Sequence, residues 1–65
     1  MANIADNIRK ARKKAGLSQD KLAREADVAY NTVVKIESGE NPNPTIDTLK
    51  KIASALEVDT SDLIE

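Results

Sequence analysis

The stretch "LSQDKLAREADVAYNTVVKIESG", Leu17 to Gly39, decides how this chain is read. It holds two short amphipathic patterns a few residues apart. Ser18 precedes the first and can accept from the orphan amides of a helix's opening turn, whose positive end also suits Gln19 and Asp20. Leu22, Ala23 and Ala26 supply the apolar side of that helix. The turn Asp27-Val28-Ala29 leads to the next pattern, about Tyr30 to Ser38, with Val33 and Ile36 facing inward and Gly39 closing it. This second helix opens with a phenol, an amide and a hydroxyl: Tyr30, Asn31 and Thr32. A core has no use for them there. They suit a helix end pressed against something rich in hydrogen-bonding groups.

The flanks extend the pattern. Ile4, Ile8, Ala11 and Ala15 fall at helical spacing, which predicts a first helix over Ile4 to Lys14, with Asn3 as its N-cap and Gly16 as a left-handed closure. "ENPNPT", Glu40 to Thr45, reads as a loop, because each proline biases the residue before it away from helix. Thr45 caps a fourth helix whose stripe is Ile46, Leu49, Ile52, Ala53 and Leu56. Asp59, with Asp62 three residues on, begins a short fifth helix carrying Leu63 and Ile64. The expected class is all-α: five helices and no strand, in a single domain over residues 1–65.

Composition narrows the chemistry. A chain of 65 residues has room for one small core and buries roughly 60% of the surface its unfolded form exposes. Cysteine is absent, so neither a disulfide nor a thiolate ligand is available, and histidine, the commonest general base and metal ligand, is absent too. With no glycine-rich phosphate loop and no clustered carboxylates, no catalytic apparatus, metal site or cofactor is expected; Ser18, Ser54 and Ser61 read as cap and surface residues. No apolar run approaches the ~20 residues of a membrane span, and no signal-peptide pattern leads the chain. The expectation is a soluble cytoplasmic protein with no membrane partner. Net charge is −1, but it hides an asymmetry. Up to Lys35 eight basic residues face four acidic ones, a balance of +4; from Ile36 onward two lysines face seven acids, a balance of −5. The first half points toward an anion.

Two short helices joined by a turn of roughly three to four residues form a helix-turn-helix, whose second member can enter a DNA major groove. Here "LSQDKLA", an apolar turn residue, "NTVVKIESG" and "PTIDTLKKIASALEV" follow one another in an order and spacing that resembles the phage-repressor type (Cro/cI, or Xre-like) of helix-turn-helix domain, over roughly Ile8 to Ile64. The resemblance implies a compact five-helix, lambda-repressor-like domain with the helix-turn-helix formed by helices 2 and 3.

It also implies roles. Gln19 matches a glutamine that hydrogen-bonds a backbone phosphate and buttresses the recognition helix, and Ser18 stands beside it; amides at a helix N-terminus plus a side-chain amide make a natural phosphate site. Tyr30 and Asn31 match the leading base-contact positions, with Thr32 following and Lys35 one turn later. Asn can bond the N6/N7 edge of adenine and Lys can reach O6/N7 of guanine. Tyr30 could stack near a sugar edge, touch a thymine methyl or bond a phosphate; Thr32 could bond a phosphate or simply support the helix. Val34, outward in the family, either touches a thymine methyl or packs beside helix 2. Ser38, Asn41 and Asn43 fall where the family's loop nears the phosphate backbone, although "ENPNPT" also reads as ordinary turn chemistry. The run "RKARKK" splits around helix 1, so that only Arg9, Lys10 or Lys13 are expected near DNA, Arg9 and Lys10 at phosphates. Arg12 and Glu37 occupy positions that pair in several family members and would form a structural salt bridge.

Two departures stand out. Asp27 holds the turn position usually given to Gly, and Ala29 replaces the usual Ser or Thr cap of helix 3, a cap worth ~1 kcal/mol. The implied function is that of a transcriptional regulator, a repressor reading a palindromic operator in double-stranded DNA as a homodimer. Val58, Leu63 and Ile64 either join the dimer contact or close the core. The alternatives in other classes are an antitoxin with a protein partner and a protein-binding adaptor, both on the same fold.

Overall fold

A computed structural model describes residues 3–64. Five helices follow in order: α1 (Ile4–Lys14), α2 (Gln19–Ala26), α3 (Tyr30–Ser38), α4 (Ile46–Leu56) and α5 (Thr60–Ile64). Among the described residues there is no strand, and no helix is long and apolar enough to cross a membrane. Three helices start on a side chain that accepts from an amide three residues on. Asn3 takes Asp6 N–H at 2.8 Å, Ser18 takes Lys21 N–H at 3.0 Å and Thr45 takes Thr48 N–H at 3.1 Å. Before α5, the Asp59 amide donates to the Asp62 carboxylate at 3.2 Å. Only α3 lacks such help among these starts, because its cap is Ala29.

The ends of α1, α2 and α4 share one device. Gly16, Asp27 and Glu57 each take the left-handed conformation, at φ +74°, +57° and +59°. An apolar residue follows each, and its amide returns to a carbonyl five residues back: Leu17 to Arg12 at 3.1 Å, Val28 to Ala23 at 3.0 Å, Val58 to Ala53 at 3.0 Å. Leu17, Val28 and Val58 then pack against the core. Each helix is thereby closed and its exit tied down in one step. Glu57 occupies its position at a steric cost of about 1–2 kcal/mol, of which glycine would return roughly half after its own entropy penalty. Glu57→Gly is expected to raise Tm by a few degrees in a thermal melt; a fall would show that the Glu57 side chain holds the turn.

The core is one cluster of aliphatic side chains: Ile8 from α1, Leu22, Ala23 and Ala26 from α2, Val33 and Ile36 from α3, Leu49, Ile52, Ala53 and Leu56 from α4, and Leu63 from α5. α2 packs on both α3 and α4, while α1 packs on α3 and α5. Asn7 donates to the Leu63 carbonyl at 2.8 Å and fastens α5 to α1.

Three of the apolar residues that the sequence singled out fall outside this core. Ile46, placed in the α4 stripe by its spacing, is 59% exposed. It is the first residue of α4, set between the exposed Thr45 and Asp47, and burial begins further along at Leu49. Ala15 is exposed because it caps α1 rather than lying within it. Ile64 is exposed while its neighbour Leu63 is buried, so of Val58, Leu63 and Ile64 the first two pack inward.

Candidate nucleic-acid interface

Spacings of three and four residues put Asn31, Val34, Lys35 and Ser38 on one stripe of α3, opposite Val33, Ile36 and Glu37. Burial follows that division. Val33, Ile36 and Glu37 are buried; Asn31, Lys35 and Ser38 are exposed, and Val34 is half-buried. Tyr30 and Thr32 flank the outward stripe. Tyr30, the chain's one aromatic residue, is 50% exposed rather than built into the core. Thr32 is half-buried, and its amide bonds the Ala29 carbonyl at 2.9 Å. Ala29 offers no side-chain acceptor, so the opening turn of α3 carries no side-chain cap of its own.

Behind that stripe Glu37, a carboxylate only 6% exposed, joins three helices. Arg12 of α1 meets it as a fork, Nε to Oε2 at 2.7 Å and Nη2 to Oε1 at 3.0 Å. The third nitrogen, Nη1, donates to the Leu17 carbonyl at 2.8 Å. Gln19, the first residue of α2, donates from Nε2 to Glu37 Oε1 at 3.2 Å. The hydrogen bond to Glu37 is the main reason the Arg12 guanidinium is held more basic than usual; burial opposes this and the opposite charge adds to it. A raised value on a cation stabilises the fold at every pH below the guanidinium's unfolded value. That contribution is lost as pH rises through the folded guanidinium's value in strong alkali. Among the described residues no buried side-chain nitrogen or oxygen lacks a partner.

The end of α3 is completed partly by α1. The Lys35 carbonyl accepts from Asn41 N–H at 3.0 Å and Ser38 Oγ at 3.1 Å, and the Ile36 carbonyl accepts from Gly39 N–H at 3.2 Å. The Glu37 carbonyl accepts from Arg9 Nη2 at 3.2 Å, and the same nitrogen donates to Asp6 Oδ1 at 3.1 Å. Arg9, expected near a phosphate, also reaches a helix-end carbonyl and an aspartate one turn earlier, while its side chain stays 38% exposed. Arg12 spends its charge on Glu37. Lys10, Lys13 and Lys14 are exposed on the same helix.

The remaining positions are spread around this centre. Ser18 is exposed while its oxygen caps α2. Ser38 is exposed and its hydroxyl also accepts from Glu40 N–H at 3.3 Å; Asn41 is half-buried and Asn43 exposed. The surface pairs Arg24–Asp20 and Lys51–Asp47 are wet and contribute little. Two links are absent from the sequence reading: Arg9 to the end of α3, and Gln19 to Glu37. The first leaves a trace, since Arg9 and Arg12 are three apart and share a face of α1. The second is foreshadowed only by the resemblance, which has Gln19 brace the third helix without naming its partner there.

Known proteins share this fold. The family model described as helix-turn-helix matches residues 8–63. The HTH-type transcriptional regulator SlrR of Bacillus subtilis (strain 168) is 40% identical over 58 residues, which cover 89% of this chain and 38% of SlrR. The chain therefore spans well under half the length of that relative. The N-terminal DNA binding domain of SinR from Bacillus subtilis superposes with a TM-score of 0.90 at 35% identity, over 92% of this chain and 87% of that one. The restriction-modification controller protein C.AhdI from Aeromonas hydrophila superposes with a TM-score of 0.88 at 28% identity, over 94% and 91% of the two chains. With a family match running from within α1 to within α5, the chain belongs to the Xre/Cro-like helix-turn-helix family.

Proposed function

We propose that this chain is a single DNA-binding domain of a transcriptional regulator, one that represses by occupying a palindromic operator as a homodimer in the cytoplasm. The observation that carries this reading is the outward stripe of α3, where Asn31 and Lys35 stand exposed beside Tyr30 while Val33, Ile36 and Glu37 lock the opposite side. In this reading α3 enters the major groove. Asn31 reads adenine, Lys35 reads guanine, and Val34 with Tyr30 meets methyl and sugar edges. Gln19, Ser18, Ser38 and the loop asparagines hold phosphates, which sets register without reading sequence. Lys10 adds charge. The names of the relatives support it, since SlrR is called a transcriptional regulator and the matching part of SinR a DNA binding domain.

Dimensions fit a dimer. The domain measures 27 × 22 × 20 Å, and half-sites one DNA turn apart lie roughly 34–36 Å from centre to centre. Two copies of a domain at most 27 Å long can sit side by side on one face of a duplex without clashing.

The test is selection from randomised duplex DNA by the purified chain at about 0.15 M salt. Recovery of a palindrome with half-sites near one turn apart is the expected result. Binding that enriches no sequence and fades with salt would overturn sequence readout, and a second small protein that co-purifies would favour the antitoxin. Asn31→Ala should flatten preference at one base pair by about 1–3 kcal/mol, with the melt unchanged because the side chain is exposed. An unaltered preference profile removes Asn31 from base readout.

A further inference from the structure

Gln19 is the chain's single glutamine and the first residue of α2. Its amide lies 3.2 Å from Glu37 Oε1. An ionised carboxylate only accepts, so the nitrogen end of the amide faces Glu37 and the oxygen end faces away. The carboxylate itself cannot turn. It is 6% exposed, gripped by Arg12 Nε and Nη2, and Arg12 is in turn tied to the Leu17 carbonyl. One of the two amide hydrogens of Gln19 is therefore committed to the interior, and the other makes no hydrogen bond among the described residues.

We infer that Glu37 is a positioning residue for phosphate recognition, fixing the heading of the Gln19 amide so that its second N–H meets a DNA phosphate. The inference rests on the DNA-binding reading above and deepens it. A phosphate accepts only, so an untethered glutamine must first turn its nitrogen end toward it. It would also lose the freedom of a long side chain on binding. The link to Glu37 removes both costs before DNA arrives. Arg12 completes the device, since its cation cancels the carboxylate that would otherwise oppose the phosphate. Pairing with Arg12 alone would serve stability; the additional contact to Gln19 is what directs the site outward.

The decisive variant replaces the pair by apolar side chains of similar reach, Arg12→Met with Glu37→Met. Net charge is unchanged, and such swaps of a buried ion pair are commonly tolerated by the fold. Binding is read on a mixed-sequence duplex of about 20 base pairs at roughly 50 mM salt, because a phosphate contact is indifferent to sequence. Gln19→Ala is expected to weaken binding about tenfold. The paired variant should weaken it to a similar extent, and adding Gln19→Ala to that variant should change nothing further. Wild-type affinity in the paired variant, or losses that multiply, would overturn the assignment. Should the variant not fold, NMR of the native chain decides, since one glutamine makes the side-chain amide unambiguous. One of its hydrogens should exchange slowly with water in the free protein and stay protected when duplex is added, while the other shifts. Two hydrogens that exchange alike, or an amide that duplex leaves untouched, would remove the positioning role alone. A native chain that binds no duplex would remove the DNA reading on which it rests.

Discussion

Arg12→Met alone should destabilise the domain by about 3–5 kcal/mol, measured by urea denaturation. The side chains of the pair are 13% and 4% exposed, so the substitution strands a carboxylate away from water with only Gln19 to bond it. It also strips the Leu17 carbonyl of its donor at the turn that leads into α2. A domain of 65 residues has a total stability of roughly 3–10 kcal/mol, so this one change should leave much of the population unfolded. The paired replacement by two methionines should recover most of the loss, since no charge is then stranded. The comparison separates two quantities: what the ion pair contributes and what a broken pair costs. A loss below about 1 kcal/mol for the single change would mean that Glu37 is hydrated and that the pair behaves as a surface one.

Leu22→Ala should cost about 2–5 kcal/mol. Leu22 is fully buried on α2, the helix that packs on both α3 and α4. A cavity there loosens α3 from its support as well as lowering stability. The core is a single cluster without Phe or Trp, so no second group of large side chains stands behind it to absorb the loss. Ile46→Ala is the matched control. Its hydropathy is as high and it too lies on an amphipathic helix, yet at 59% exposure it should change stability by no more than roughly 0.5 kcal/mol. Denaturation midpoints at a common m-value give the answer. Equal losses at both sites would mean that α4 is covered along its whole length.

The contrast between Leu22 and Ile46 marks how far periodicity reads. The spacing of apolar residues identifies which face of a helix turns inward, and that reading holds for Ile8, Leu22, Val33, Ile36, Leu49, Ile52 and Leu56. It says nothing of how far along a helix its neighbours reach, and Ile46 at the start of α4 is left exposed. Caps read well for a similar reason. Asn3, Ser18 and Thr45 act on amides three residues away, so cause and effect lie within one turn. Gly16 and Gly39 advertise their left-handed turns by composition, and Asp27 does so by standing where a glycine is usual. Glu57 gives no such signal and still adopts one, because the apolar Val58 after it has core surface to cover.

The candidate site divides along the same line. The outward stripe of α3 needs only the 3.6-residue repeat and the two inward residues that orient it. The basic run of α1 needs more: composition makes its members alike, and packing makes Arg9 a helix-end partner, Arg12 a buried ion and Lys10 a free surface charge. By itself the sequence determined five helices, their bounds, the helix-turn-helix and the face that α3 turns outward, all consequences of interactions spanning a few residues. Only the tertiary structure decided that Arg12, Gln19 and Glu37 meet at one point and that Gln19 turns its nitrogen inward. Those contacts span 18 and 25 residues of chain. They exist because α1 and α2 both pack against α3, and side chains that far apart meet only where packed helices bring them together.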